Sequence, residues 1–360
     1  MRKVEFKKGI NVANELCAWA QLDGQLFMGI DNSQLLTDRD FEVFKEWKLD
    51  HIRVMIDFTT LMESAAPYSW KEGGWQKVAE TIEMARKHEI GVVLDLHSTL
   101  GMEFQEGGSA NGVRNDLLNN QEHQDLLCRI WKEFCVRCAG TEDFVAFEIL
   151  NEVTSDDAVG WNTVALRVIA LIRSYSKERT VIYGGVHWNA VTSLKYLVIL
   201  ENDPNIIYNF HFYKPSIFTH QVLQQDFRCA LQNNMTGGMR WRYPGSYPGL
   251  ELYEVEGNPP RKNGVRYIDR QVIQQDYLGT LYEFRKEHPE LTIYCGEFGV
   301  NQYVHGESRY NWQRDVIEAF RENNVHMCYF MYKWPAWGIL NPYDFTRYDR
   351  KLIQLLNGEV

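Results

Sequence analysis

The chain predicts an α/β fold: a (β/α)8 TIM barrel with a small subdomain inserted after its sixth strand. Three observations predict it. Short β-branched or aromatic runs alternate with helical stretches along the sequence, the pattern of βα units around a parallel sheet. The runs are apolar on both faces, as strands covered by helices must be. No G-x-G-x-x-G or G-x-x-x-x-G-K-[ST] follows any of them, which argues against a nucleotide-binding, doubly wound sheet.

The strands are expected near 7–12, 51–57, 91–97, 144–151, 180–184, 206–211, 292–297 and 326–332. Helices are expected between most of them. Thr37-Asp38 opens one over 40–47, and Val78, Ile82 and Ala85 give helical spacing over 75–88, before Gly91. Further helices fall at 121–138, 161–176, 270–288 and 310–323. The connection between His211 and Thr292 is about eighty residues, far longer than an ordinary βα loop. Its part from 213 to 263 holds Met235-Thr236-Gly237-Gly238, Trp241, Tyr243-Pro244-Gly245 and Tyr247-Pro248-Gly249. It reads as a subdomain on the catalytic rim of one domain spanning 1–360, its aromatics walling a substrate cleft. A decorative or oligomerising insertion is the alternative.

Composition narrows the classes. With 45% hydrophobic and 24% charged residues the 360-residue chain is ordinary globular material. A formal charge of −10 and the lack of a lysine/arginine run argue against a nucleic-acid partner. No apolar run approaches the roughly 18 residues that span a bilayer. Arg2, Lys3, Lys7 and Lys8 precede no apolar stretch of signal-peptide length. Seven cysteines without small-scaffold spacing make a disulfide framework improbable, and Cys135-Val136-Arg137-Cys138 reads as helix packing. The simplest setting is cytoplasmic, the other being secretion with a signal peptide absent from this chain. A monomer is expected, with no cofactor and no metal.

The strand tips carry the chemistry. They are Arg53, His97, Asn151, Glu152, His211, Tyr213 and Glu297, with Trp334 just past the eighth strand. Each alone has a structural explanation, such as an arginine neutralising a buried acid or a glutamate capping the next helix. Together, that many polar groups at one barrel mouth cost several kcal/mol unless they pair with one another. Barrel enzymes keep their chemistry at this end, and glycosidic cleavage needs two carboxyls. Arg53 and Tyr213 are expected to keep Glu297 ionised as nucleophile. Burial and the nearby Glu297 charge then favour a protonated Glu152, which serves as acid and later as base. Asn151 suits the sugar 2-hydroxyl, His97 and His211 suit hydroxyls or the acids, and Trp334, Trp337, Trp241 and Tyr243 offer stacking faces.

Phe147-Glu148-Ile149-Leu150-Asn151-Glu152 resembles the F-E-x-x-N-E motif of glycoside hydrolase family 5. Tyr294-Cys295-Gly296-Glu297-Phe298-Gly299 resembles that family's nucleophile motif, and Tyr208-Asn209-Phe210-His211-Phe212-Tyr213 its sixth-strand motif. Arg53 and Leu94-Asp95-Leu96-His97 match its second and third strands. Within the family the chain is most similar to endoglucanase C-type β-glucanases, which carry a comparable insertion. Phe218-Thr219-His220-Gln221 and Tyr243-Pro244-Gly245-Ser246-Tyr247 look like parts of it. The resemblance implies a retaining β-glycosidase with Glu152 as acid/base and Glu297 as nucleophile, acting on β-glucans or their oligosaccharides, first of all as an endo-β-1,4-glucanase.

Two positions depart from the family's pattern. Phe330 stands where the eighth strand usually carries a tryptophan, with Trp334 four residues later, and Ser98-Thr99 follow His97. Both flank the sugar that is cleaved, so they bear on substrate. Exo-β-1,3-glucanase, β-glucosidase and β-mannanase activities remain open on this fold. A metal-dependent barrel hydrolase using His97, Glu152, His211 and Glu297 is the reading from another class, although no H-x-H or H-E-x-x-H spacing supports it.

Overall fold

The computed structural model describes residues 3–17, 35–102, 115–221, 241–248, 265–302, 304, 306–333, 337–341 and 344–360. Six parallel strands come first: β1 (Lys8–Val12), β2 (His51–Asp57), β3 (Gly91–Ser98), β4 (Val145–Glu148), β5 (Val181–Gly184) and β6 (Ile206–Phe212). A hairpin of β7 (Gly245–Pro248) and β8 (Val265–Ile268) precedes the last two, β9 (Thr292–Phe298) and β10 (Val325–Tyr329). The eight parallel strands close in the order β1-β10-β9-β6-β5-β4-β3-β2, and β2 pairs with β1 to complete the ring. All eight expected strands are present.

The helices form where apolar spacing and caps coincide. Asn120 accepts from the Glu122 and His123 amides at the head of Gln121–Arg137, and Asp157 accepts from Gly160 at the head of Ala158–Tyr175. Thr37 and Asp40 close a capping box on Asp38–Glu46. Each helix buries one stripe against the barrel's outer face, filling a single large apolar core. Two of these helices also fasten the catalytic end. Trp131 Nε1 donates to Ile149 O at 3.0 Å, and Trp161 Nε1 donates to Gly184 O at 2.8 Å.

Inside the barrel the side chains stack in layers. Phe6, Val93, Ala146, Ile182, Ile207, Tyr294 and Cys328 make an apolar layer. Ala13, Cys17, Met55, Met331 and Trp337, with Tyr213 and Phe330 against them, make another beside the mouth. The charged groups lie between the two.

Several boundaries differ from expectation. The fourth strand ends at Glu148, so Asn151 and Glu152 sit on the turn beyond it, tied back by Asn151 N to Leu96 O at 3.0 Å. The eighth strand ends at Tyr329, where the chain turns through Phe330. The expected helix 270–288 is broken into Arg270–Val272, a π-turn over Ile273–Tyr277 and Gly279–Glu287, a glycine opening the last piece. A C-terminal helix, Arg350–Asn357, was not foreseen. Of the expected insertion, 222–240 and 249–263 lie outside the described residues. Its described foot is firmly attached. Gln221 clamps both backbone groups of Trp241 at 2.8 and 3.0 Å, and Tyr243 donates to Asp315 at 2.8 Å.

Candidate active site

Arg53 organises the mouth. It points inward from β2 and is wholly buried, so each of its five N–H donors needs a partner. Nε donates to Glu148 Oε2 at 2.7 Å, and Nη2 reaches Glu148 Oε1 at 2.9 Å and Asn151 Oδ1 at 2.8 Å. Nη1 donates to Asn11 Oδ1 at 2.8 Å and to Glu297 Oε1 at 2.7 Å. Asp95 Oδ2 lies 3.1 Å from Nη2. Burial opposes charge on the guanidinium, but Asp95, Glu148 and Glu297 overcome it and hold its pKa well above the usual arginine value.

Glu297 is the last residue but one of β9 and is 5% exposed. Both its oxygens are engaged, Oε1 by Arg53 and Oε2 by the Tyr213 hydroxyl at 3.0 Å. Burial and then the Glu297 charge push the Tyr213 phenol well above its ordinary range, so it remains a donor. Glu152 faces Glu297 from the turn after β4. His211 Nδ1 lies 2.8 Å from Glu152 Oε1 and 3.7 Å from Glu297 Oε2. Burial, together with the charges on Arg53 and His97, drives the His211 pKa well below the histidine norm. The ring is therefore neutral, and it shares one proton contact with Glu152 through Nδ1. Gly296 explains how the ring fits: a Cβ there would meet Asn209 at 2.9 Å and His211 Nε2 at 3.1 Å.

One atom each of Glu152, His211 and Glu297 lies within 4.8 Å of the others. Such a spacing suits a pair of acids and would also suit a cation. His97, the fourth residue of the metal alternative, is turned elsewhere, with Nδ1 2.7 Å from Asp95 Oδ2 and Nε2 3.3 Å from Asn151 Nδ2. Burial would lower its pKa, but Asp95 outweighs burial and raises it.

The remaining expected residues divide. Phe330 packs beside Tyr213 and Trp337, with ring centroids 6.2 and 5.7 Å away. Trp241 is half-buried and stacks on Tyr247 at 5.4 Å. Tyr243, expected as a stacking face, is instead buried, because its hydroxyl finds Asp315 inside the core; Tyr247 is buried too. Trp334 lies outside the described residues.

Sequence reasoning missed Glu148, Asp95, Asn209 and Asn11 as site residues. Asp95 and Asn209 stand two residues before His97 and His211, on the same inward face, which was the available signal. Nor did it single out Trp188. His187, Trp188 and Asn189 all have positive φ, of 54°, 56° and 55°, in the loop after β5. Three such non-glycine residues in a row carry strain that surrounding contacts must hold. His187 N donates to Ser155 O and Trp188 N to Val153 O, beside Glu152, while Trp188 as a residue stays 54% exposed.

A closed parallel barrel with two facing acids at its carboxyl end, one gripped by arginine and tyrosine, is the framework of a glycoside hydrolase. The family model for cellulase (glycosyl hydrolase family 5) matches residues 18–334, and the chain belongs to that family. It is 30% identical to endoglucanase C of Acetivibrio thermocellus over 98% of both chains. Cellodextrinase A of Ruminococcus flavefaciens is 26% identical over 91% of this chain and 86% of its own. Among solved structures, an endoglucanase of the hyperthermophilic Thermotoga maritima superposes with a TM-score of 0.70 at 23% identity, covering 98% of this chain and 97% of that one.

Proposed function

We propose that the enzyme cleaves β-1,4-linked glucans and their oligosaccharides with retention, through a glycosyl-enzyme on Glu297, with Glu152 as acid and then base. The observation that carries this reading is the approach of the two glutamates, one oxygen of each lying within 4.8 Å of the other. Retaining pairs stand about 5 Å apart, whereas inverting pairs leave roughly 6.5–9.5 Å for a water. The roles follow from the surroundings. Glu297, held at both oxygens by donors, is aimed and fixed as a nucleophile should be. Glu152, next to a neutral histidine and nearer solvent, is placed to pass a proton to a leaving oxygen. Asn151 Nδ2 is free of the Arg53 contact made by its oxygen and suits the sugar 2-hydroxyl. The names of the relatives, endoglucanase C and cellodextrinase A, support β-1,4-glucan as the substrate class.

Glu152→Gln tests the assignment. On a natural cello-oligosaccharide turnover should fall by about three orders of magnitude or more, because the leaving oxygen goes unprotonated. On a dinitrophenyl β-cellobioside the first step should survive while the second lacks its base, giving a burst of phenolate. Equal damage on both substrates, with no burst, would count against it. Proton NMR of the first product formed by the unaltered enzyme should show the β-anomer, and a chelator should leave the rate unchanged.

The strained loop after β5 suggests where the leaving portion of the chain rests. Trp188 is exposed, and its backbone is held beside Glu152 through Val153 O. Ring contact remote from the cleaved bond acts on ground and transition state alike. Trp188→Ala should raise KM roughly three- to ten-fold for oligosaccharides that extend past the cleaved bond, the worth of about 1 kcal/mol of ring contact. Its kcat, and its KM for a dinitrophenyl disaccharide, should hardly move. Phe330→Ala, which loosens the packing behind Tyr213, should instead lower kcat on substrates of every length.

A further inference from the structure

We propose that Glu148 is a positioning residue for the nucleophile: by holding one edge of the Arg53 guanidinium, it sets how much of that charge Glu297 receives in each half of the reaction. The inference rests on the reading of Glu297 as nucleophile. Glu148 is completely buried and grips Arg53 through Nε and Nη2 at 2.7 and 2.9 Å. Glu297 has the other edge, through Nη1 at 2.7 Å. One cation is thus divided between a carboxylate that reacts and one enclosed beneath the site. Asn209 holds Glu148 in that pose, donating to Oε1 at 2.8 Å.

Each neighbouring element contributes a face to Glu148. β2 brings Arg53, β3 brings Asp95, and β9 brings Glu297 and Tyr294. β10 brings Cys328, β6 the neutral Asn209, and β5 the apolar Ile182 in register with Glu148. Burial pushes the Tyr294 phenol and the Cys328 thiol upward, so both stay neutral. Burial also pushes Glu148, against the pull of Arg53 and with help from Asp95, up to about 7. In this proposal that upward push lets Glu148 exchange a proton as the charge on Glu297 comes and goes.

In the first step a Glu297 oxygen bonds to the anomeric carbon, and the leaving group departs with the electron pair of the broken bond. Glu297 becomes a neutral ester. Arg53 then answers to two carboxylates instead of three, which favours the ionised form of Glu148, and its proton passes to solvent. When water later frees Glu297 as a carboxylate, Glu148 takes a proton back.

The test separates the two half-reactions. Glu148→Gln removes the competing charge, so Arg53 holds Glu297 more firmly as a carboxylate. The first step on a dinitrophenyl β-cellobioside, read by rapid mixing, should slow by about ten-fold. The second step, in which that carboxylate is the leaving group, should be unchanged or faster. Slowing of both steps alike is what a merely structural role gives, and it would overturn the proposal. Should the amide facing Arg53 Nε unfold this variant, the native Glu148 can be read in Glu152→Gln protein, which has no acid at position 152. Trapping that protein with a dinitrophenyl glycoside fluorinated beside the anomeric carbon should release a fraction of a proton per enzyme near neutral pH. Mass spectrometry locates the label. A sugar on Glu297 with no proton released sinks the inference alone, whereas a sugar elsewhere removes the functional reading and this proposal with it.

Discussion

Glu297→Ala is expected to lower turnover by about four orders of magnitude or more, leaving only what binding and the remaining acid supply. The fold should survive, because alanine removes one of three carboxylates facing Arg53 and leaves Asp95 and Glu148 to neutralise it. Azide or formate added to the variant should restore part of the rate on an activated aryl glycoside. The small anion enters the space left by the side chain and attacks from that face, so the rescued product should be inverted at the anomeric carbon. Polarimetry or NMR of the rescued product decides the matter. Rescue with retention would exchange the roles given to Glu297 and Glu152.

Arg53→Met should be the most damaging single change to the protein as a whole. Methionine fills much of the volume but leaves Asp95, Glu148 and Glu297 buried together without their shared cation. Removing one partner from a buried ion pair costs about 3–5 kcal/mol. A loss of that size should appear as a large drop in the urea midpoint. Activity should be undetectable even where the variant remains folded, since Glu297 then loses one of its two anchors. Arg53→Lys provides the control. It restores charge but cannot supply the planar fork that reaches Glu148, Asn11, Asn151 and Glu297 at once, so it should recover stability more than rate. Recovery of near-native turnover by lysine would mean that charge alone, and not the fork, aligns the nucleophile.

The barrel was legible because parallel strands buried on both faces must be apolar throughout, and that makes a polar residue at a strand's end conspicuous. His97, Asn151, Glu152, His211, Tyr213 and Glu297 stood out for this reason, whereas Arg53, inside β2, stood out as a charge within an apolar run. Glu148, Asp95 and Asn209 sit in the layer beneath, where a single polar residue inside an apolar run reads as a satisfied core group. Only the arrangement around Arg53 distinguishes them. The aromatics fared differently. Tyr243 and Tyr247 lie in a glycine- and proline-rich stretch that looks exposed, yet both rings are buried and each hydroxyl has an acceptor, Asp315 and Arg242 O. Trp188 is exposed through an unusual backbone that no side-chain pattern announces. Boundaries shifted at the strand ends, where contacts across the sheet rather than local propensity decide the last residue.

The Arg53 hub draws its partners from β1, β3, β4 and β9, strands from both halves of the sequence. No contiguous half of the chain contains the whole set. β1 meets β10 only when the ring closes, and until then the guanidinium lacks Asn11, Glu297 or both, depending on which seam is open. The catalytic centre therefore works as a clasp on the cylinder. An open sheet would carry stranded charges, so a partly closed barrel is penalised and closure and competence arrive together. Cutting the chain between β6 and β9 would leave Arg53 with Asp95 and Glu148 on the first fragment and Glu297 without its cation on the second, so the second fragment would gain most from recapture.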